Sequence, residues 1–234
     1  MKTFIQIMKK EVADYFLSPI AYIVICIFLI ITGWFFFSTF FLFNQAGMRN
    51  FFALLPLVFA FVIPAVTMRL FSEELHSGSF EILLTLPLTL GQIVAGKFAA
   101  GVVMTGAMLA PTLAYPISIS FIGDLDWGPV IGGYIGAMLL GGSFAAVGLF
   151  ASALTRNQII AFILGAAICL TLTLIDKMLF FFPASILNII EYIGADSHFQ
   201  NIAKGVIDSR DLVYFISVIS IGLLGAHTVL LKKQ

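Results

Sequence analysis

Charge is what this sequence has least of: 10% of its residues are charged, against 61% that are hydrophobic. A soluble domain carries about 25% charged residues. So few polar side chains cannot cover a water-facing surface, and much of the molecule must be solvated by lipid. Twelve basic residues balance twelve acidic ones to a formal net charge of +0, which leaves no electrostatic footprint for a nucleic-acid partner. Cysteine is nearly absent. Cys26 and Cys169 lie in long apolar runs and read as small buried hydrophobes, not as a disulfide or a metal pair. No His-Glu-x-x-His or Gly-x-Ser-x-Gly motif occurs, and His198 and His227 have no second ligand at metal spacing. An intramembrane enzyme needs polar catalytic groups at membrane depth, and the apolar runs carry almost none. Neither a catalytic site, a metal site nor a cofactor is therefore expected in this chain.

Long apolar runs fill the space that charge leaves. A helix needs about 20 apolar residues to cross a bilayer. Runs of that order cover 20–43, 51–68, 98–122, 127–154, 158–175 and 212–231. The second holds Pro56 and Pro64 and the third Pro111 and Pro116, where kinks are expected. The fold class read from this pattern is an all-α membrane protein of six transmembrane helices, in one domain over 1–234. Lys9 and Lys10 before the first run suggest a signal peptide, but Glu11 and Asp14 interrupt the basic region. The run itself exceeds the roughly 7–15 residues of a signal-peptide core. It is expected to be a retained first span.

Basic residues favour the cytoplasmic side of a membrane protein. With a cytoplasmic N-terminus, Lys2, Lys9, Lys10, Arg69, Lys97, Arg156, Lys232 and Lys233 lie inside, against Arg49, Lys177, Lys204 and Arg210 outside. Both termini are therefore expected in the cytoplasm. Residues 2–17 place Phe4, Ile5, Met8, Val12, Tyr15 and Phe16 on one helical face, and Lys2, Gln6, Lys9, Lys10 and Asp14 on the other. That is an amphipathic interfacial helix, although Ile7 and Glu11 fit the division poorly. Ser18-Pro19 marks the turn into the first span.

Residues 176–211 form an outer segment. Its two short apolar pieces, Met178 to Phe182 and Ile186 to Ile190, flank Pro183 and suggest a re-entrant hairpin. A polar stretch, Glu191 to Asp211, follows. Asp176 and Lys177 are expected at the outer boundary of the fifth span. In the fourth run, Gly132-x-x-x-Gly136 is a small-xxx-small pattern that suits helix packing, within the subunit or at a dimer interface. Gly91 to Phe98, GQIVAGKF, imitates a phosphate loop. It lacks the hydroxyl after Lys97 and any preceding strand. Lys97 is expected to snorkel to the inner headgroups.

The most informative interruption is 69–97, RLFSEELHSGSFEILLTLPLTLGQIVAGK. It is far longer than a tether between two spans requires. Ser72 is a candidate helix cap with Glu74 in the first turn, and Gly78 and Pro87 suggest breaks. A short cytoplasmic helix is expected.

With its flanks, PAVTMRLFSEELHSGSFEILLTLPLTLGQIVAGKF, this region resembles ABC-2 type permeases between their second and third spans. The resemblance rests on Glu73-Glu74, Gly78-Ser79, Glu81 with Leu83-Leu84, Leu86-Pro87 and Gly96-Lys97. KKEVADYFLSPIAYIV (9–24) is similar to the N-terminal helix of the same family, and SHFQNIAKGVIDSRDLVYF (197–215) to its gliding-motility-type branch. The resemblance implies a permease subunit of an ATP-binding cassette transporter in a bacterial cytoplasmic (inner) membrane, acting in export. It implies a coupling helix between spans two and three, with Glu73, Glu74, Gly78, Ser79, Glu81 and Pro87 as the ATPase-coupling positions. The implied partners are an ABC ATPase that carries the ATP and Mg²⁺, a second permease copy or a related permease, and a membrane-anchored auxiliary subunit with a large outer domain. A haem-exporter-type permease shares the RLF…GS…LP pattern, and a non-transporting anchor of a cell-surface machine is the further alternative.

Overall fold

The computed structural model describes residues 2–43, 47–85, 87–121, 123–181, 192–206 and 208–233. Among them every regular element is helical. The chain runs α1 (Lys2–Leu17), α2 (Pro19–Phe43), α3 (Arg49–Thr67), α4 (Arg69–Ser77), α5 (Ser79–Leu84), α6 (Leu90–Leu109), α7 (Ala114–Ser120), α8 (Trp127–Leu154), α9 (Gln158–Leu174), α10 (Ala195–Ala203) and α11 (Ser209–Leu231). Short 3₁₀ segments, Ala110–Leu113 and Ile175–Phe181, follow α6 and α9. Six stretches are long and apolar enough to cross a membrane, built on α2, α3, α6, α8, α9 and α11.

α8 is the axis of the bundle. Seventy-eight per cent of its apolar stretch is buried, against 22% for α2 and for α11 and 28% for α9. Glycine makes this burial possible. A Cβ on Gly133 would enter the Phe52 ring of α3, and one on Gly148 would run into Thr67 and Pro64. The helices approach closely because nothing separates their backbones, and dispersion contacts replace the hydrophobic drive that lipid does not supply. The polar side chains inside the bundle are satisfied locally. Thr32, Thr67, Thr105 and Thr173 each donate to the carbonyl four residues back, which removes the cost of an unpaired hydroxyl in an apolar medium.

Of the four prolines in the second and third runs, Pro56, Pro64 and Pro116 lie within helices and one coincides with a break. Pro111 opens the 3₁₀ segment that interrupts the third apolar run, since its ring clashes with an upstream carbonyl and supplies no N–H. α6 begins at Leu90, about two turns ahead of the apolar run that starts at Phe98. Thr89 and Gln92 form a reciprocal capping box that fixes this start. Lys97 therefore lies inside a helix and not before one.

The two ends of α8 define the two ends of the molecule. At its C-terminal end lie α1, α4 and the end of α11, just beyond which Lys233 Nζ donates to Ala153 O at 2.7 Å. At its N-terminal end lies α10. The sequence reads this last element as a polar stretch, but Phe199 and Ile202 are fully buried against α8. Gly132 and Gly136 face it: a Cβ on Gly132 would lie 2.5 Å from Ile202 O, and one on Gly136 3.2 Å from Phe199 and Ile202 side chains. Within the chain those two glycines pack against α10. The proposed hairpin lies in part outside the described residues, which include neither Pro183 nor Ile186 to Ile190.

Candidate functional site

α1 is rotated from the orientation its overall amphipathicity suggests. Its buried stripe is Ile7, Glu11 and Tyr15, at 8%, 8% and 7% exposure, while Ile5 is exposed. The two residues that fit the sequence pattern poorly thus mark the face that meets the bundle. Gly96 of α6 lets this face approach, since a Cβ there would lie 2.8 Å from Ile7 Cγ2. Tyr15 Oη donates to Val66 O at 3.1 Å. Burial, with Glu11 adding, holds the Tyr15 phenol well above its ordinary pKa, so it remains a donor.

One residue after Gly96, Lys97 enters the gap between α1 and α4. It is 1% exposed. Its Nζ donates to Glu11 Oε1 and to Glu74 Oε1, each at 2.8 Å, and stands 5.2 Å from the centre of the Phe71 ring. A buried ammonium costs several kcal/mol unless it is closely paired. Here two carboxylates from two helices and an aromatic face from α4 repay that cost. Lys97 does not snorkel to a surface, because its partners lie inward. Lys10 adds a second cation, 3.3 Å from Glu11, 3.4 Å from Asp14 and 3.9 Å from Glu74. Burial pulls the Lys10 pKa down, but Glu11, Glu74 and Asp14 outweigh it and raise it above the usual lysine value. Lys10 therefore stays charged through the neutral range. Glu74 Oε2 is buried without a partner. These groups line a cleft of about 520 Å³ between α1 and α4, together with Arg69, Glu73, Ser77 and Ser79.

The α3–α4 junction is pinned separately. Ser152 Oγ of α8 accepts from Phe71 N and Ser72 N, both at 2.9 Å, and donates to Met68 O at 2.6 Å. It takes the role of an N-cap supplied from another helix. Ser72, read from sequence as the cap, is instead a buried residue inside α4 and bonds back to Met68 O.

The positions singled out in 69–97 separate into two groups. Glu74 turns inward to Lys97 and is not a free acid at the surface. Glu73 is half-exposed and pairs with Arg69 Nε at 3.0 Å. Gly78 ends α4 with φ 73, a left-handed conformation that favours glycine. Ser79 Oγ lies 2.9 Å from Ser77 Oγ, Glu81 is exposed on the first turn of α5, and Pro87 is exposed beyond it. Ile82 beside Glu81 is 69% exposed, while Phe80 is buried edge-on to Phe71. The α4–α5 break thus presents Glu73, Ser79, Glu81 and Ile82 outward and keeps Glu74, Phe71 and Phe80 inward. Sequence reasoning missed Lys97 and Glu11. The available signals were the misfit of Glu11 in α1 and a lysine standing between two apolar runs.

A second polar group lies at the α10 end. His198 Nδ1 is 2.6 Å from Asp211 Oδ1 and its ring stacks on Tyr214 at 4.2 Å. Asp176 accepts from Ser197 N at 2.9 Å, and Lys177 pairs with Asp196 at 3.1 Å. Among the described residues no cluster of three or more His, Cys, Asp or Glu has a metal-binding arrangement.

Six membrane-crossing helices around a glycine-lined axis define a multi-pass helical membrane protein. The family model for the ABC-2 family transporter protein matches residues 5–230, and the chain belongs to that family. No curated protein matches it. The family supplies the membrane component of transporters, generally without catalysis of its own, and normally works with an ATPase subunit.

Proposed function

We propose that this chain is the permease subunit of an ATP-driven transporter, and that α4 and α5 form the coupling element that a cytoplasmic ATPase grips. The observation that carries the reading is Lys97, which ties α4 to both α1 and the third span. An element that only tethered two spans has no need of such a tie. One that receives force from a partner has to pass it on without swivelling. In this reading Glu73, Ser79, Glu81 and Ile82 meet the ATPase, with Gly78 setting the angle between the two short helices. Closure of the ATPase dimer is a rigid-body switch. Glu74 and Lys97 carry its displacement to α6, and Glu11 carries it to α1.

The basic bias supports cytoplasmic termini in a bacterial inner membrane, and the family resemblance supports export. The segment 197–215 favours the gliding-motility-type branch. In that branch the partners are a second permease and a membrane-anchored subunit with a large outer domain. Paired substitution Glu73→Lys and Glu81→Lys is expected to lower co-purification of the ATPase by about tenfold or more through like-charge or lost-charge contacts, with membrane insertion intact. Unchanged co-purification would remove the coupling assignment. Ser79→Cys in a cysteine-free background is expected to react with impermeant thiol reagents only from the cytoplasmic side. Labelling of intact cells would reverse the topology.

A further inference from the structure

At the end of the molecule opposite the Lys97 cluster, a cavity of about 280 Å³ opens between the start of α3, the start of α8 and the end of α10. Its floor is apolar and fully packed: Met48, Phe52 and Val130 are 3%, 1% and 2% exposed. Two cations, Arg49 and Lys204, line it and are exposed. Neither has an ion-pair partner among the described residues. The acid in the lining, Asp126, is engaged: its Oδ1 accepts from Gly128 N at 3.0 Å as the cap of α8. The site thus offers two positive charges without an ion-pair partner among the described residues, against the single carboxylate of Asp126, above a hydrocarbon floor.

We propose that this cavity binds a membrane lipid with an anionic headgroup, its phosphate held by Arg49 and Lys204 and the first carbons of its chains resting on Phe52, Met48 and Val130. Charge complementarity selects the headgroup. A compact anion pairs with two neighbouring cations by charge-assisted hydrogen bonds, and a zwitterionic headgroup brings a repelling ammonium with it. Access selects a lipid over a soluble anion. On the first turns of α8, beside the cavity, Trp127 and Ile131 are 47% and 58% exposed. An exposed tryptophan next to an exposed isoleucine at a span terminus is the pattern of a headgroup-level boundary. A mouth at that level would be within reach of lipid headgroups. The site is independent of the ATPase-coupling reading.

Tryptophan gives the test. Trp34 and Trp127 are the two in the chain, so Trp34→Phe leaves Trp127 beside the cavity as the sole emitter. The full-length chain is reconstituted in phosphatidylcholine vesicles containing increasing brominated phosphatidylglycerol. Quenching of Trp127 is expected to saturate at a low mole fraction of the anionic lipid. Brominated phosphatidylcholine is expected to quench only in proportion to its abundance. Arg49→Gln with Lys204→Gln is expected to raise the half-saturating fraction about tenfold or more. Lys177→Gln, a cation at the same end already paired with Asp196, is expected to leave it unchanged. Thermal unfolding of each variant in the same vesicles confirms that it is folded. Identical curves for the two lipids, or a wild-type curve for the folded double variant, would overturn the proposal. So would full displacement of the lipid by millimolar inorganic phosphate, which would assign the site to a soluble anion.

Discussion

The two ends of this bundle both bury charge, and they use it differently. At the α10 end, His198 and Asp211 are 13 positions apart in sequence, and their 2.6 Å contact closes a loop between consecutive helices. At the α4 end, Lys97 reaches Glu74 across 23 positions and Glu11 across 86, both at 2.8 Å. The first contact staples a local turn. The second joins three elements, α1, α4 and α6, one of them an amphipathic helix outside the spans. A buried ion pair is weak as a source of net stability, because desolvation consumes most of its Coulombic gain. What it provides is geometry. Distance along the chain therefore separates the two ends: in the proposed coupling the long-range tie would transmit displacement, while the short-range pair holds a shape.

The greatest loss is expected at Lys97. Lys97→Met removes the buried cation between Glu11 and Glu74 and leaves the two carboxylates facing each other with only the more exposed Lys10 beside them. The expected loss is about 3–5 kcal/mol, read as unfolding in detergent. A loss no larger than that of a surface substitution would mean that the tie does no structural work. Next is Ser152→Ala, which strips the acceptor from two buried amides, Phe71 N and Ser72 N. About 2–3 kcal/mol is expected, with faster hydrogen exchange confined to α4. Asp211→Asn is expected to cost about 1–2 kcal/mol and to speed exchange in α10 while leaving α4 and α1 untouched. Equal effects at both ends would erase the distinction drawn between them. Smallest is Glu73→Gln. Its pair with Arg69 is an exposed contact one helical turn apart, worth roughly 0.2–0.5 kcal/mol. Stability should scarcely move, while association with the ATPase weakens.

Much of the architecture is legible in the amino-acid order because lipid imposes it. A stretch free of charge for about 20 residues has few alternatives to a membrane helix, and six helical stretches of the fold are long and apolar enough to cross one. The break at Gly78 is legible for a similar reason, since few other residues take its left-handed backbone readily. The Lys97 tie is not legible, because no periodicity links position 97 to position 11. The lysine interrupts an apolar run, and read alone it belongs at a boundary. Only when α1 packs at Gly96 does the carboxylate of Glu11 arrive to neutralise it. α10 hides for a different reason. Asp196, His198, Gln200, Asn201 and Lys204 make 195–204 polar on average, while Phe199, Ile202 and Ala203 supply one short apolar stripe. The inward turn of Glu74 is also a tertiary fact. Glu73 and Glu74 are neighbours in sequence and point to different environments about 100° apart around the helix.

In the proposed mechanism Lys97 transmits the movement of α4 to the spans. The direct measurement is the nucleotide hydrolysis rate of the reconstituted permease–ATPase complex carrying Lys97→Gln, assayed below the unfolding temperature of the variant. The expected result is an ATPase that still co-purifies in wild-type amount but hydrolyses at the rate it shows without the permease. Wild-type dependence of hydrolysis on the permease, in a complex of unchanged stoichiometry, would contradict it.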